Sequence, residues 1–217
     1  MAHVDLYWLP LGAGGHSVRL NGRVYELIKA QQEGRRPRSL YHAGLEVRLI
    51  GRTYVIEMTP VPRGDPAERG VVATRPVGSR VLKRLRVFRY EVRRWEDGLI
   101  PDVDEAVDSP QRLTTDPRVA RRVLELVPSV PVHVWGRDEL GAGDMWNSNS
   151  FVAWLLASSG LDAAALEPPR HGRAPGRHAG LVAAGQASTR AFAPSRAASA
   201  SRTGMKRPTK IGVSRSV

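Results

Sequence analysis

Along most of the first hundred residues, apolar and polar positions alternate with a period of two, the pattern of half-buried strands. VDLYW, residues 4–8, predicts a first strand. HSVRLNGRVYELI, residues 16–28, predicts a hairpin around Asn21-Gly22, because this dipeptide accepts the left-handed positions of a tight turn. LYHAGLEVRLIGRTYVIEM, residues 40–58, predicts a second hairpin around Gly51. On its first arm His42, Leu45 and Val47 do not share one face, so a bulge is expected there. On its second arm Tyr54, Ile56 and Met58 alternate with Val55 and Glu57. After a Pro-rich loop at 59–69, GVVATRPVG predicts a short strand. VFRYEVRRW at 87–95 predicts a half-exposed one, with Phe88, Tyr90 and Val92 opposite Val87, Arg89, Glu91 and Arg93.

The period then changes. In TTDPRVARRVLELVP, Thr115 or Asp116 caps a helix, Pro117 fits its first position, and Val119, Val123, Leu124 and Val127 form one stripe. PVHVW at 131–135 predicts another short strand. WNSNSFVAWLLASSG predicts a short helix opening near Asn149 and ending at Gly160. Its run from Phe151 to Ala157 has no wide polar face, so it is expected to be buried on most sides. The fold class that follows is α+β: an antiparallel sheet with a packed helix whose N-terminus carries the polar cluster. The domain is expected to span 1–182, ending near LVAA at 181, and residues 183–217 are expected to be a disordered tail rich in Ala, Ser and Arg.

The charge sharpens that division. The chain of 217 residues has a net charge of +12, and 183–217 contain seven basic residues and no acidic one. The body is therefore only mildly basic. A nucleic-acid or anionic-surface contact is expected to reside in the tail. There is no cysteine, which excludes disulfides, thiolate nucleophiles and Cys-ligated zinc. MAHVDLYWLPLG does not read as a secretory leader, and no run reaches the length of a membrane span, so the expected location is cytoplasmic. LPLGAGGHS has glycines but no following Lys-Ser/Thr or helix, a poor phosphate loop. Arg35, Arg36 and Arg38 read as a solvated basic loop. His133, His171 and His178 lack metal-ligand spacing, and neither a metal nor another cofactor is expected.

Three residues support a joint chemical reading: Ser148 at a helix mouth, His42 on a strand and Glu57 on the paired strand. A hydroxyl at a helix N-terminus, a histidine base and an orienting carboxylate form an acyl-transfer site. Each also has a plain structural reading. Ser148, Asn147 and Asn149 cap helices as readily as they attack a substrate or flank an oxyanion, and His42 suits a half-buried strand position. Glu57 can face solvent, and Glu46 competes with it as the partner of His42.

YHAGLEVRLIGRTYVIE resembles the histidine-bearing hairpin of the circularly permuted papain-like hydrolases. WNSNSFVAWLL is similar to the N-C-N-x-F segment and following helix of the PPPDE-type isopeptidases in that group. The group also includes NlpC-type and lecithin:retinol acyltransferase-like proteins. The resemblance covers roughly residues 1–160. It implies a permuted papain-like fold, hydrolysis of an amide or ester in a small-molecule or peptide substrate, His42 as base, and Glu57 as third member. Ser148 stands where those enzymes have Cys. A thiol becomes a thiolate beside a helix end and an imidazolium, whereas a hydroxyl must lose its proton during attack. The resemblance therefore also accommodates an inactive binding module of the same fold.

Overall fold

The computed structural model of the protein describes residues 1–11, 31, 34, 36–61, 67–169 and 171–192. The described strands are β1 (His3–Pro10), β2 (Ser39–Leu49), β3 (Arg52–Pro60), β4 (Val71–Pro76), β5 (Arg89–Glu96), β6 (Val107–Thr114) and β7 (Gly172–Arg173). The described helices are α1 (Pro117–Leu126), α2 (Ser148–Ser158) and α3 (Arg177–Phe192). Six strands form an antiparallel sheet in the order β4-β5-β3-β2-β1-β6, and β7 pairs in parallel with the start of β2. The fold is thus mixed α and β.

The β2–β3 hairpin turns at Ile50 and Gly51, with φ of 51° and 77°. The expected hairpin at 16–28 lies outside the described residues. The expected bulge in β2 is absent: its pairing with β1 runs without a shift from His3↔Arg48 to Pro10↔Tyr41, and with β3 from Leu45↔Ile56 to Leu49↔Arg52. The mixed polarity of β2 instead reflects two covered faces. Tyr41, Ala43, Leu45 and Val47 join the main core beside Leu6, Trp8, Phe151 and Leu155. The alternate positions look the other way, where Leu9, Val55 and Ile100 form a smaller cluster. A Cβ added at Gly44 would lie 3.8 Å from Leu9 Cδ1 and 3.9 Å from Ile100 Cδ1.

Further differences have local causes. VFRYEVRRW starts its strand only at Arg89, and its charged face is buried: Glu91 is 1% exposed and Arg93 5%. PVHVW forms no strand, only a single bridge between Trp135 and Val77. The sequence reading has no strand at β6, where Asp108, Ser109 and Pro110 are turn formers. α1 begins as expected, with the Asp116 carboxylate accepting the Arg118 N–H at 2.7 Å. α3 runs across the expected boundary at 182, and Ala183 and Ala184 are buried in the core. The folded unit therefore continues past that point, while residues 193–217 lie outside the described set.

α2 is the central helix, with every residue from Ser148 to Leu156 buried. α3 crosses it closely. A Cβ at Gly180 would lie 2.1 Å from the Ser150 carbonyl oxygen, and one at Gly176, where φ is +95°, would lie 2.2 Å from Asn147 Oδ1. Neither position has room for a side chain, and both contacts fall at the N-terminal end of α2.

Candidate functional site

Asn147 caps α2. Its Oδ1 accepts from the Asn149 N–H at 2.9 Å and the Ser150 N–H at 3.3 Å, and Ser150 Oγ returns the favour by accepting the Asn147 N–H at 2.9 Å. This reciprocal box satisfies most of the free donors of the first turn. Ser148 is therefore not the cap. It is the first helical residue, 5% exposed, and neither its hydroxyl nor its amide has a hydrogen-bond partner among the described residues.

Asn149 joins this helix end to β2. Its Oδ1 accepts the Ala43 N–H at 2.8 Å, and its Nδ2 donates to the Tyr41 carbonyl at 3.0 Å and the Pro175 carbonyl at 2.8 Å. Tyr41 and Ala43 turn these groups toward the β3 side, while the Leu40 carbonyl, on the β1 side, accepts from Leu11 N–H. β2 and β3 pair only from Leu45 onward. A side-chain amide thus replaces the missing strand where β3 has parted from β2. His42 is the residue between the two clamped backbone groups. The amides of Asn147 and Asn149 are consequently occupied within the fold, the former also donating to the Pro175 carbonyl at 2.9 Å. Their expected role at an oxyanion gives way to anchoring.

His42 pairs with Leu9, so its ring lies on the sheet face away from the body of α2. It is half-buried, and burial drives its pKa down from the usual 6.5 to about 4, against an opposing pull from Asp102. Ser148 Oγ and the His42 ring share no hydrogen bond among the described residues.

Glu57 shares the face of His42 but does not orient it. Its Oε1 accepts from Arg93 Nη1 at 2.5 Å, and Arg93 Nε donates to Glu91 Oε1 at 2.6 Å. Arg69 completes the network, with Nε 3.0 Å from Glu91 Oε1. Burial raises the pKa of Glu57, opposed by Arg93. Glu46 lies 3.8 Å from His3 Nε2 and is not paired with His42 either. The acid that acts on His42 is Asp102, which the sequence reading did not single out. It sits in a left-handed conformation, φ 57°, next to the turn bearing Ile100.

Two other groupings flank the site. The ligand atoms of His3, Asp5 and Glu46 lie within 4.8 Å of one another, a cluster the sequence does not announce. Both Asp5 oxygens are already bound by the Arg112 guanidinium, which supplies the compensating cation. A cavity of about 470 Å³ opens beside the start of α3, lined in part by Asp144, Arg173, Arg177 and His178. Asp144 caps α3 there, accepting the Gly176 N–H at 2.7 Å, and burial raises its pKa. Neither Ser148 nor His42 lines this cavity.

No helix among the described residues is long and apolar enough to cross a membrane. Compared with protein-family models, curated proteins and solved structures, the chain matches none.

Proposed function

We propose that the protein is an acyl-transfer hydrolase of permuted papain-like type, acting on an amide or ester with Ser148 as nucleophile and His42 as base. The observation that carries this reading is the Asn149 clamp, which fixes the opening of α2 to the two backbone groups flanking His42. A nucleophile and its base need their elements held in fixed register, and this contact supplies it. The free Ser148 amide at the helix end suits a developing oxyanion. His42 is neutral near pH 7, the state a base requires. Since Arg93 holds Glu57, the orienting carboxylate in this reading is Asp102.

In the reaction, His42 takes the hydroxyl proton as Ser148 Oγ attacks the carbonyl carbon. The tetrahedral oxyanion collapses and expels the amine or alcohol, which receives that proton from His42. Water, activated by the same imidazole, then releases the acyl group from Ser148.

A second reading is a binding module that keeps this architecture without chemistry. It is favoured by the His42 ring lying on the sheet face away from the body of α2, by the lack of a Ser148–His42 hydrogen bond among the described residues and by the weak proton affinity of an imidazole with a pKa of about 4. Fluorophosphonate labelling followed by peptide mapping separates the two. The hydrolase is expected to carry the label on Ser148 and lose it in His42→Ala. Absence of label on Ser148 in the folded wild-type protein would leave the binding module.

A further inference from the structure

At the far edge of the sheet, β4, the start of β5 and the turns of residues 81–88 enclose a cavity of about 450 Å³. Four arginines line it: Arg75, Arg80, Arg84 and Arg89. Among the described residues one carboxylate is bound to them. Glu139 accepts from Arg80 at 3.1 Å through Nε and 3.0 Å through Nη2, and is also held by the Val134 N–H at 2.9 Å. Arg75 spends one nitrogen on the Thr74 carbonyl at 3.0 Å. The Nε atoms of Arg75 and Arg89 are buried and have no hydrogen-bond partner among the described residues. Buried guanidinium donors without acceptors are costly. Four like charges around one cavity, answered among the described residues by the one carboxylate bound to Arg80, mark a place prepared for an oxyanion.

Exposed aliphatic side chains narrow the ligand further: Val132, 56% exposed, lines the cavity, and Val81, Leu85 and Val87, 83%, 55% and 80% exposed, adjoin its arginines in sequence. Aliphatic side chains beside arginines contribute little to binding a nucleic-acid backbone, which calls for charge and stacking surfaces. They do fit the interface of an anionic lipid layer, where cations take the phosphates and apolar residues enter the headgroup region. We propose that this cavity binds a phosphate group, with Arg75, Arg80, Arg84 and Arg89 as the cations that line it and an anionic phospholipid headgroup as the source. The site is remote in the sheet order from β2 and α2 and does not depend on the acyl-transfer reading.

Co-sedimentation of the full chain with vesicles tests this. Wild-type protein is expected to bind phosphatidylcholine vesicles containing phosphatidic acid, and not phosphatidylcholine alone. The double change Arg75→Gln with Arg89→Gln is expected to weaken that binding at least tenfold at an unchanged melting temperature. Arg84→Gln, on an exposed residue, provides a second variant with no folding risk and is expected to weaken it several-fold. Wild-type-like vesicle binding by all of these variants would overturn the site, since the basic C-terminal segment would then account for the attraction. The triple change Val81→Ser, Leu85→Ser and Val87→Ser decides the source. Weakened vesicle binding with unchanged inorganic pyrophosphate binding supports the lipid headgroup. Pyrophosphate binding that needs Arg75 and Arg89, without vesicle binding, would overturn the lipid source.

Discussion

Asn149 holds Ala43: its Oδ1 lies 2.8 Å from the Ala43 nitrogen, across 106 residues of sequence and at a position where both residues are buried. The same amide satisfies the Tyr41 and Pro175 carbonyls. Replacing Asn149 with Ala leaves the Ala43 N–H and the Tyr41 carbonyl unpaired, while the Pro175 carbonyl keeps its bond from Asn147 Nδ2, at about 1–3 kcal/mol for each group that water cannot reach. A loss on the order of 3 kcal/mol is expected in chemical denaturation. A loss below about 0.5 kcal/mol would mean that the clamp does not fasten α2 to β2, and the proposed site would lose its basis.

Ser148 provides a second, separable test. Because Asn147 is the cap, Ser148→Ala should cost less than the roughly 1 kcal/mol typical of a lost cap. Ser148→Cys is the more informative change. A thiol at a helix N-terminus that an imidazole can reach has a pKa below the ordinary value of about 8.5. It should alkylate faster than a free thiol near neutral pH, and slow when His42→Ala is added. A rate indifferent to His42 would show that the two side chains do not communicate.

His42 also makes stability depend on pH. Its folded pKa of about 4 lies below the unfolded 6.5, so between these values the unfolded chain binds the proton and the native protein does not. The neutral ring's contribution is complete above pH 6.5 and is lost as the pH falls toward 4, with a limit of about 3 kcal/mol. His42→Gln should flatten the stability curve in that window and leave it unchanged in slope above pH 7. Asp102→Asn, which keeps a residue tolerant of the left-handed conformation, should lower the NMR-measured pKa of His42 further.

The end of the folded unit can be checked by truncation. A chain ending at residue 182 loses Ala183 and Ala184, which are 6% and 7% exposed and pack in the main core. It should melt several degrees below a chain ending at Phe192, the last residue of α3. Equal melting temperatures would restore the earlier boundary.

What the sequence conveys here follows the range of the interactions involved. The β2–β3 hairpin is legible because alternation and Gly51 are local signals, and α1 because Asp116 and Pro117 mark its start. β6 is not legible. Ser109 and Pro110 read as a turn, and they lie in an irregularity of the β1–β6 ladder between Leu6↔Gln111 and Trp8↔Val107, where Ser109 Oγ accepts the Trp8 N–H at 2.8 Å. The polar cluster before α2 is visible in sequence, but the division of labour within it depends on Ala43 and Tyr41 arriving from another element. Asp102 and the arginine cavity carry no motif at all; Arg75, Arg80, Arg84 and Arg89 have no recognisable spacing until the chain folds them around one space.

Glu57 illustrates the same point and yields the last prediction. Its position between Ile56 and Met58 marks it as an acid that burial would force to find a partner, and the partner, Arg93, lies 36 residues away on the neighbouring strand. Arg93 sits between two carboxylates, Glu57 and Glu91, so the two ends of this network are not equivalent. Glu57→Gln keeps an acceptor for Arg93 Nη1 and leaves Arg93 paired with Glu91, so a loss of about 1 kcal/mol is expected. Arg93→Met fills much of the same volume but leaves Glu57 buried without its cation, and a loss of about 3–5 kcal/mol is expected. Denaturant unfolding of the two variants measures the asymmetry. In Glu57→Gln the NMR-measured pKa of His42 should stay where it is. A shift of His42 in that variant would return Glu57 to the site as its orienting acid and displace Asp102.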